Sequence, residues 1–190
     1  LVGYMQDRQN ARLMGVAPEL DGACELIREM RRSGVVPAVA HTKATYEQFM
    51  RGVEAGIRHV THAYNVMTGM HHRKPNVVGG VLTCDQVTAE IISDGYHVSP
   101  VAIDVLLRCK GYDKVAVITD NVALAGLPDG SYESNGRTVV KKDGVSRVAG
   151  TTPDQDNTMA GSEWPINHNL RTLVDVVHVP LAAAIRMATL

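Results

Sequence analysis

VVPAVAH, residues 35–41, is an almost wholly apolar run that ends on a histidine. A strand reads this way when both of its faces are covered, the condition of a parallel sheet flanked by helices. HVTHAY (59–64) carries His62 near its end, and KVAVITD (114–120) closes on Asp120. In a parallel α/β barrel the carboxyl ends of the strands converge on one mouth, so residues far apart in sequence meet over one site. The spacing therefore predicts an α/β chain of the TIM-like (β/α)8 type. Its functional groups are expected at strand ends.

Working outward, strand and helix signals alternate. ARLMGVAPEL (11–20) begins as a strand and breaks at Pro18. Asp21 is expected to N-cap a helix running to about Arg32, with Leu26, Ile27 and Met30 inward and Gly34 just past its end. Thr45 and Gln48 have capping-box spacing for a helix that stops at Gly56. A long loop is expected from Asn65 to Gly80. TAEIISDG (88–95) is the next strand, and Ser99 with Pro100 opens a helix ending near Gly111. After the fifth strand, Asp129-Gly130, Asn135-Gly136 and Asp143-Gly144 mark hairpin turns, so residues 122–150 read as a β-excursion. Helical patterns return at 162–176 and from Pro180 onward. An open flavodoxin-like sheet also has five strands, but it would not usually place polar residues at the ends of so many in succession. The barrel is the favoured reading, with residues 1–190 forming one partial barrel domain.

A complete eight-stranded barrel takes about 250 residues, and this chain has 190. It opens on Leu1 and stops inside the helical pattern of MATL, so both ends read as cut. Nineteen basic against twenty acidic residues give a formal charge of -1 with no block of like charge. A general attraction to nucleic acid or to an anionic membrane is not supported. No apolar run approaches the eighteen or so residues that a membrane span needs. Cys24, Cys84 and Cys109 are odd in number and widely spaced. This argues against a disulfide framework or a zinc cluster and suits a reducing cytoplasm.

Either histidine alone reads most simply as a buried side chain bonded to backbone. Together, on consecutive strand ends, His41 and His62 suit a divalent metal. Asp120 is a turn former after a strand, or else a general base beside such a metal. Glu19 stands at another strand end, as a third ligand or as a carboxylate supporting the site. Asn65, Arg73 and Lys74, with His71 and His72, form the one locally basic stretch, either a solvated loop or a phosphate-binding rim. His97 is a strand-end histidine able to bond a substrate hydroxyl, or simply a loop residue. His59, His168 and His178 fit no pattern.

APEL (17–20), AHTKAT (40–45), THAYNVM (61–67), the Arg73 loop, IISDGYHV (91–98), VITDN (117–121), AGLPDG (125–130) and MAGS (159–162) follow one another along the chain. In that order and spacing the sequence resembles the N-acetylglucosamine-6-phosphate deacetylases of the amidohydrolase superfamily. The resemblance implies metal-dependent hydrolysis of the acetamide of N-acetylglucosamine 6-phosphate, giving glucosamine 6-phosphate and acetate. It implies a divalent metal, zinc or iron, as one ion or two, with His41 and His62 among its ligands and Asp120 as the proton shuttle. It makes Asn65, Val66 and Arg73 the phosphate contacts. Asp94, Gly95, Tyr96, His97, Met159, Ala160 and Gly161 become further substrate contacts. It also implies a phosphorylated amino sugar as partner and a homodimer, with Arg73 reaching a neighbouring subunit's site. The family's HxEGP motif, which carries the metal's carboxylate ligand, is not in this sequence. The five strands would then be the fourth to eighth of a barrel, and Glu19 matches a family glutamate that is not the usual ligand. Ala40, Asn121, TTPDQDNT (151–158) and EWPINHN (163–169) also depart from the family pattern and bear on sugar preference. Two other readings stay open: an amidohydrolase for a different N-acyl amino sugar or cyclic amide, and an inactive barrel piece that only associates.

Overall fold

The computed structural model describes residues 11–150 and 158–189. The chain divides into two compact units. One runs to Ile91 and includes Val105–Ala116; the other comprises Ile92–Asp104 and the chain from Val117 onward.

The first unit is built on parallel strands. β1 (Leu13–Val16) leads through α1 (Ala23–Arg32) to β2 (Val36–Val39), then through α2 (Tyr46–Ala55) to β3 (His59–Val60) and through α3 (Asn76–Thr83) to β4 (Thr88–Ile92). After α4 (Pro100–Lys110), β5 (Val115–Ile118) begins, and the sheet order is β1-β2-β3-β4-β5. The pairs β1/β2, β2/β3 and β3/β4 are parallel, with Val16 opposite Val39, Ala38 opposite His59 and His59 opposite Thr88. A flavodoxin-like sheet would place its first strand inside, between the second and third. Among the described strands β1 is outermost, which is not the flavodoxin-like order.

Local chemistry explains the elements. Thr45 and Gln48 make the capping box, the Thr45 side chain accepting from Gln48 N–H and the Gln48 side chain from Thr45 N–H. α1 closes with Val35 N–H donating to Met30 O (2.9 Å) and Gly34 N–H donating to Arg31 O (3.2 Å), a Schellman pair with Met30 and Val35 packed together beneath it. Phe49, Ile27, Met30, Ile57, Val39 and Val60 are fully buried. Phe49 of α2 lies directly on Gly80 of α3: a Cβ there would sit 2.4 Å from the ring. Only glycine lets the two helices approach this closely.

Four expectations are corrected. The N-cap of α1 is Gly22 in the left-handed region (φ 76), not Asp21, which is exposed and caps nothing; the turn over 17–22 delays the helix by one residue. β3 is two residues long, because positive φ at His62 (32°) and Tyr64 (76°) takes the chain out of the ladder after Val60. The loop expected over 65–80 ends early, in α3. Its residues Val77, Val78, Gly79, Gly80 and Val81 are all buried, so packing rather than helix propensity makes that helix. Asp129-Gly130 is not a hairpin turn but the approach to β6, which starts at Gly130.

The second unit holds an antiparallel sheet, β6 (Gly130–Ser134), β7 (Arg137–Lys142), β8 (Val145–Val148) and β9 (Met159–Gly161), followed by α5 (Ile166–Asp175) and α6 (Leu181–Thr189). Its two hairpins turn at Asn135-Gly136 and Asp143-Gly144, all four residues at positive φ as a type I′ turn requires. A buried ion pair ties it together. Lys141 Nζ donates to Glu163 Oε2 (2.6 Å) and to Leu124 O (3.1 Å), and the Ser146 hydroxyl donates to Glu163 Oε1. All but Thr158 of TTPDQDNT lies outside the described residues. Cys24, Cys84 and Cys109 are free thiols. Among the described residues no helix is long and apolar enough to cross a membrane.

Candidate active site

In the first unit, the residues that follow β2 and β3 bring two imidazoles together. His41 Nε2 and His62 Nε2 lie 2.9 Å apart, with the rings tilted by 47°. His62 is 5% exposed, and its Nδ1 is buried without a partner among the described residues. Both histidines have positive φ, 46° at His41 and 32° at His62. The left-handed region costs an L-residue roughly 1–2 kcal/mol, so the surroundings must hold these backbones in place. They do so on several sides. Glu19 accepts from Thr42 Oγ1 (2.5 Å) and from Lys43 N–H (2.6 Å), gripping the two residues after His41. Thr42 N–H donates to Val66 O (2.9 Å), Thr61 N–H to Val39 O (3.0 Å) and Ala63 N–H to Glu90 O (2.8 Å). Of the two roles weighed for Glu19, the structure gives it the supporting one.

Two neutral imidazoles cannot both offer a lone pair across 2.9 Å unless something positive lies between or beside them. A shared proton serves, and so does a metal ion, for which two neutral ring nitrogens are a favoured donor set. Among the described residues no group of three His, Cys, Asp or Glu side chains could hold a metal. The facing ring nitrogens are a donor pair that either a shared proton or a cation would bridge, and the described residues offer no third ligand beside them.

Asn65 and Val66 continue directly from His62. Asn65 N–H donates to His62 O (3.0 Å), and its side-chain amide to His62 O and Ala63 O (3.4 and 3.3 Å). Val66 is 63% exposed at φ 50, a conformation that β-branched residues avoid. Strain of this kind gathers at ligand-binding positions. Further along, His71 and Lys74 close a tight loop, His71 N–H to Lys74 O (3.0 Å) and the reverse (2.9 Å). Arg73 at its tip donates to His72 Nε2 (2.6 Å). No hydrogen bond or ion pair among the described residues joins Arg73 to the histidine pair.

In the second unit, Asp94 and His97 form a dyad. Asp94 Oδ2 accepts from His97 Nδ1 (2.7 Å), and Oδ1 accepts from the N–H groups of Tyr96 and His97 (2.9 Å each). Burial works against the Asp94 charge, but these three hydrogen bonds outweigh it and hold the carboxyl down at about 2. Gly95 supplies the left-handed turn between them (φ 84). Tyr96 is half exposed and lies parallel to Trp164 at 6.1 Å.

Asp120 is exposed at φ 49, and its carbonyl accepts from Ser162 N–H (2.9 Å) while Val122 N–H donates to Ser162 O (3.0 Å). The Met159–Gly161 strand thereby runs into the backbone that presents Asp120. At Gly161 (φ 128) a Cβ would lie 2.8 Å from Asp120 O and from Val122 Cγ1. Gly161→Ala is therefore expected to lower stability by about 1–3 kcal/mol, measured by chemical denaturation. An unchanged midpoint would mean that this contact is slack.

Sequence reasoning missed three partnerships. For Glu19 the supporting role is expected as one of two, but its partners, Thr42 and Lys43, are not legible in the sequence. His168, read as patternless, stacks on Trp164 (4.2 Å) and donates to Asp94 O (3.2 Å). His59 bonds Glu90 (2.9 Å) and Thr88 (2.6 Å) across β3 and β4. The unusual EWPINHN stretch was the available signal for the second.

A parallel α/β sheet with a strained, converging histidine pair past its strand ends places the chain among α/β proteins that gather functional groups at the carboxyl ends of parallel strands. No protein-family model matches it. It is 37% identical over 179 residues to an N-acetylgalactosamine-6-phosphate deacetylase of Escherichia coli O157:H7, covering 94% of this chain and 46% of that protein. A putative N-acetylgalactosamine-6-phosphate deacetylase of Escherichia coli strain K12 is 40% identical over 129 residues, covering 68% of this chain and 73% of the relative. Among solved structures, the D267A mutant of N-acetyl-D-glucosamine-6-phosphate deacetylase from Mycobacterium smegmatis, in complex with N-acetyl-D-glucosamine-6-phosphate, superposes with a TM-score of 0.91 at 33% identity. That match covers 98% of this chain and 49% of the other. The chain belongs to the family of N-acetylglucosamine-6-phosphate deacetylases and their N-acetylgalactosamine counterparts. It spans about half the length of the curated relatives that match it along most of its length.

Proposed function

We propose that the protein bearing this sequence hydrolyses the acetamide of N-acetylglucosamine 6-phosphate to glucosamine 6-phosphate and acetate. The observation that carries the reading is the approach of the His41 and His62 Nε2 atoms to 2.9 Å after consecutive parallel strands. The sequential strand order supports reading the chain as a segment of a TIM-like barrel, with residues 122–150 as its β-excursion. His41 and His62 would hold a divalent cation, zinc or iron being suited to imidazole nitrogen, and the third ligand would be a carboxylate from an HxEGP motif absent from this chain. Such a cation, when bound, supplies Lewis acidity toward water and the acetamide carbonyl.

The chain's own residues do the rest. Asp120 takes the proton of the attacking water and returns it to the departing amine as the C–N bond breaks. Asn65, the Val66 backbone and Arg73 bind the phosphate, a planar guanidinium suiting its oxygens. Anchoring the sugar at this remote group orients the acetamide for attack. His97 receives a polar group of the sugar, and Met159, Ala160 and Gly161 border it. A homodimer in which Arg73 completes the neighbouring subunit's site belongs to the same reading, as does a cytoplasmic setting.

The N-acetylgalactosamine names of two relatives favour a second reading, the C4 epimer as substrate. Assays with both 6-phosphates and with unphosphorylated N-acetylglucosamine separate the two. The first reading expects the gluco 6-phosphate to be hydrolysed fastest and the unphosphorylated sugar slowest. Faster turnover of the galacto isomer selects the second, and acetate release from none of the three rejects both.

A further inference from the structure

We propose that Asp94 is a positioning residue: it fixes His97 as the Nδ1–H tautomer and leaves Nε2 as an acceptor for a hydroxyl or amide N–H of the sugar. The identity of the sugar rests on the deacetylase reading, whereas the tautomer does not. Asp94 is itself withdrawn from any ligand. Its side chain is 1% exposed, and both oxygens are occupied by the His97 ring and two backbone N–H groups. A charged carboxylate only accepts, so the His97 nitrogen facing it carries the hydrogen. In a neutral ring the other nitrogen then carries a lone pair. His97 is 5% exposed at its side chain, and Nε2 has no partner among the described residues. Nε2 is not among the buried unpartnered side-chain atoms, so the small exposure the ring retains leaves this acceptor open to an arriving donor.

The dyad is braced by the segment that departs from the family pattern. His168 Nε2 donates to Asp94 O (3.2 Å), the Ser93 hydroxyl donates to Asn169 O (3.2 Å), and Trp164 lies against both His168 and Tyr96. The start of α5 thus holds the 93–97 turn through side chain and backbone together. The turn has little freedom to re-aim the ring.

The asymmetry of the Asp94 carboxylate makes the proposal sharp. Oδ1 serves the two backbone N–H groups and Oδ2 serves the ring. In Asp94→Asn the amide oxygen must keep the backbone partners, which turns the amide N–H2 toward His97 Nδ1. That nitrogen must then accept, and the ring hydrogen moves to Nε2, reversing its sense toward the substrate. In the histidine-15N-labelled full-length protein at mildly alkaline pH, long-range 1H–15N correlation is expected to show bare Nε2 in the wild type and bare Nδ1 in D94N. D94N is expected to lower kcat/KM by about 10- to 100-fold, the scale of one mismatched buried hydrogen bond, mostly through KM. Because Asp94 acts through His97, the D94N/H97N double variant should be no worse than H97N alone. A wild-type ring protonated at Nε2 overturns the proposal even if D94N does not fold. An unchanged tautomer in D94N, or a double variant whose losses multiply, also overturns it. A tautomer swap in a protein that hydrolyses no acetylated sugar phosphate upholds the dyad and removes the deacetylase reading instead.

Discussion

Asp120→Asn is expected to lower turnover of the acetylated amino sugar phosphate by about three orders of magnitude while leaving bound metal at the wild-type level. General acid–base catalysis by one positioned side chain contributes typically 10²–10⁴-fold. Asp120 is asked to act twice, first on water and then on the amine, so the upper half of that range applies. Asparagine preserves the shape of the side chain and the backbone contacts of Asp120 with Ser162. It cannot accept a proton at working pH. The metal measurement separates a lost base from a lost ligand: turnover and metal falling together would move Asp120 into the ligand set. Retained turnover would remove it from the chemistry altogether.

The second large effect is expected at the histidines. His41→Ala and His62→Ala should each abolish metal retention through dialysis and with it activity, and the double variant should be no worse than either single one. Two ligands of one ion act as a unit, so removing the first leaves little for the second to lose. A ligand that binds only the folded state raises Tm, so metal is expected to raise the Tm of the wild type and to leave that of each variant unchanged. In the absence of metal, His62→Ala should be the more disruptive of the two, since His62 is buried and His41 is exposed. Metal retained by either single variant at wild-type stoichiometry would mean that the pair is a hydrogen-bonded couple and nothing more.

The sequence made the element types and the strand-end placement of His41, His62 and Asp120 legible, because apolar runs and capping signals are local. Thr45 with Gln48, Ser99 with Pro100, and the Asn-Gly and Asp-Gly turns each write their geometry into adjacent residues. The rest is not local. Nothing beside His62 announces that it adopts positive φ and ends β3 after two residues. The same is true of Val66. α3 reads as loop because Gly79 and Gly80 are poor helix formers, and the reason for Gly80 is Phe49, thirty-one positions away in sequence. Glu19 was visible as a carboxylate near a strand end, but its grip on Thr42 and Lys43 requires β1 and β2 to be neighbours. Asp94 shows the same limit: the motif places it among the substrate contacts, whereas its burial and its three hydrogen bonds turn it toward His97.

His41 and His62 are expected to bind one cation through their facing Nε2 atoms. Metal-edge X-ray absorption of the metal-loaded protein tests it most directly. The expected spectrum contains imidazole scattering from two rings, with nitrogen at about 2.0–2.1 Å if the metal is zinc. A first coordination sphere of oxygen alone, with no imidazole signature, would contradict it.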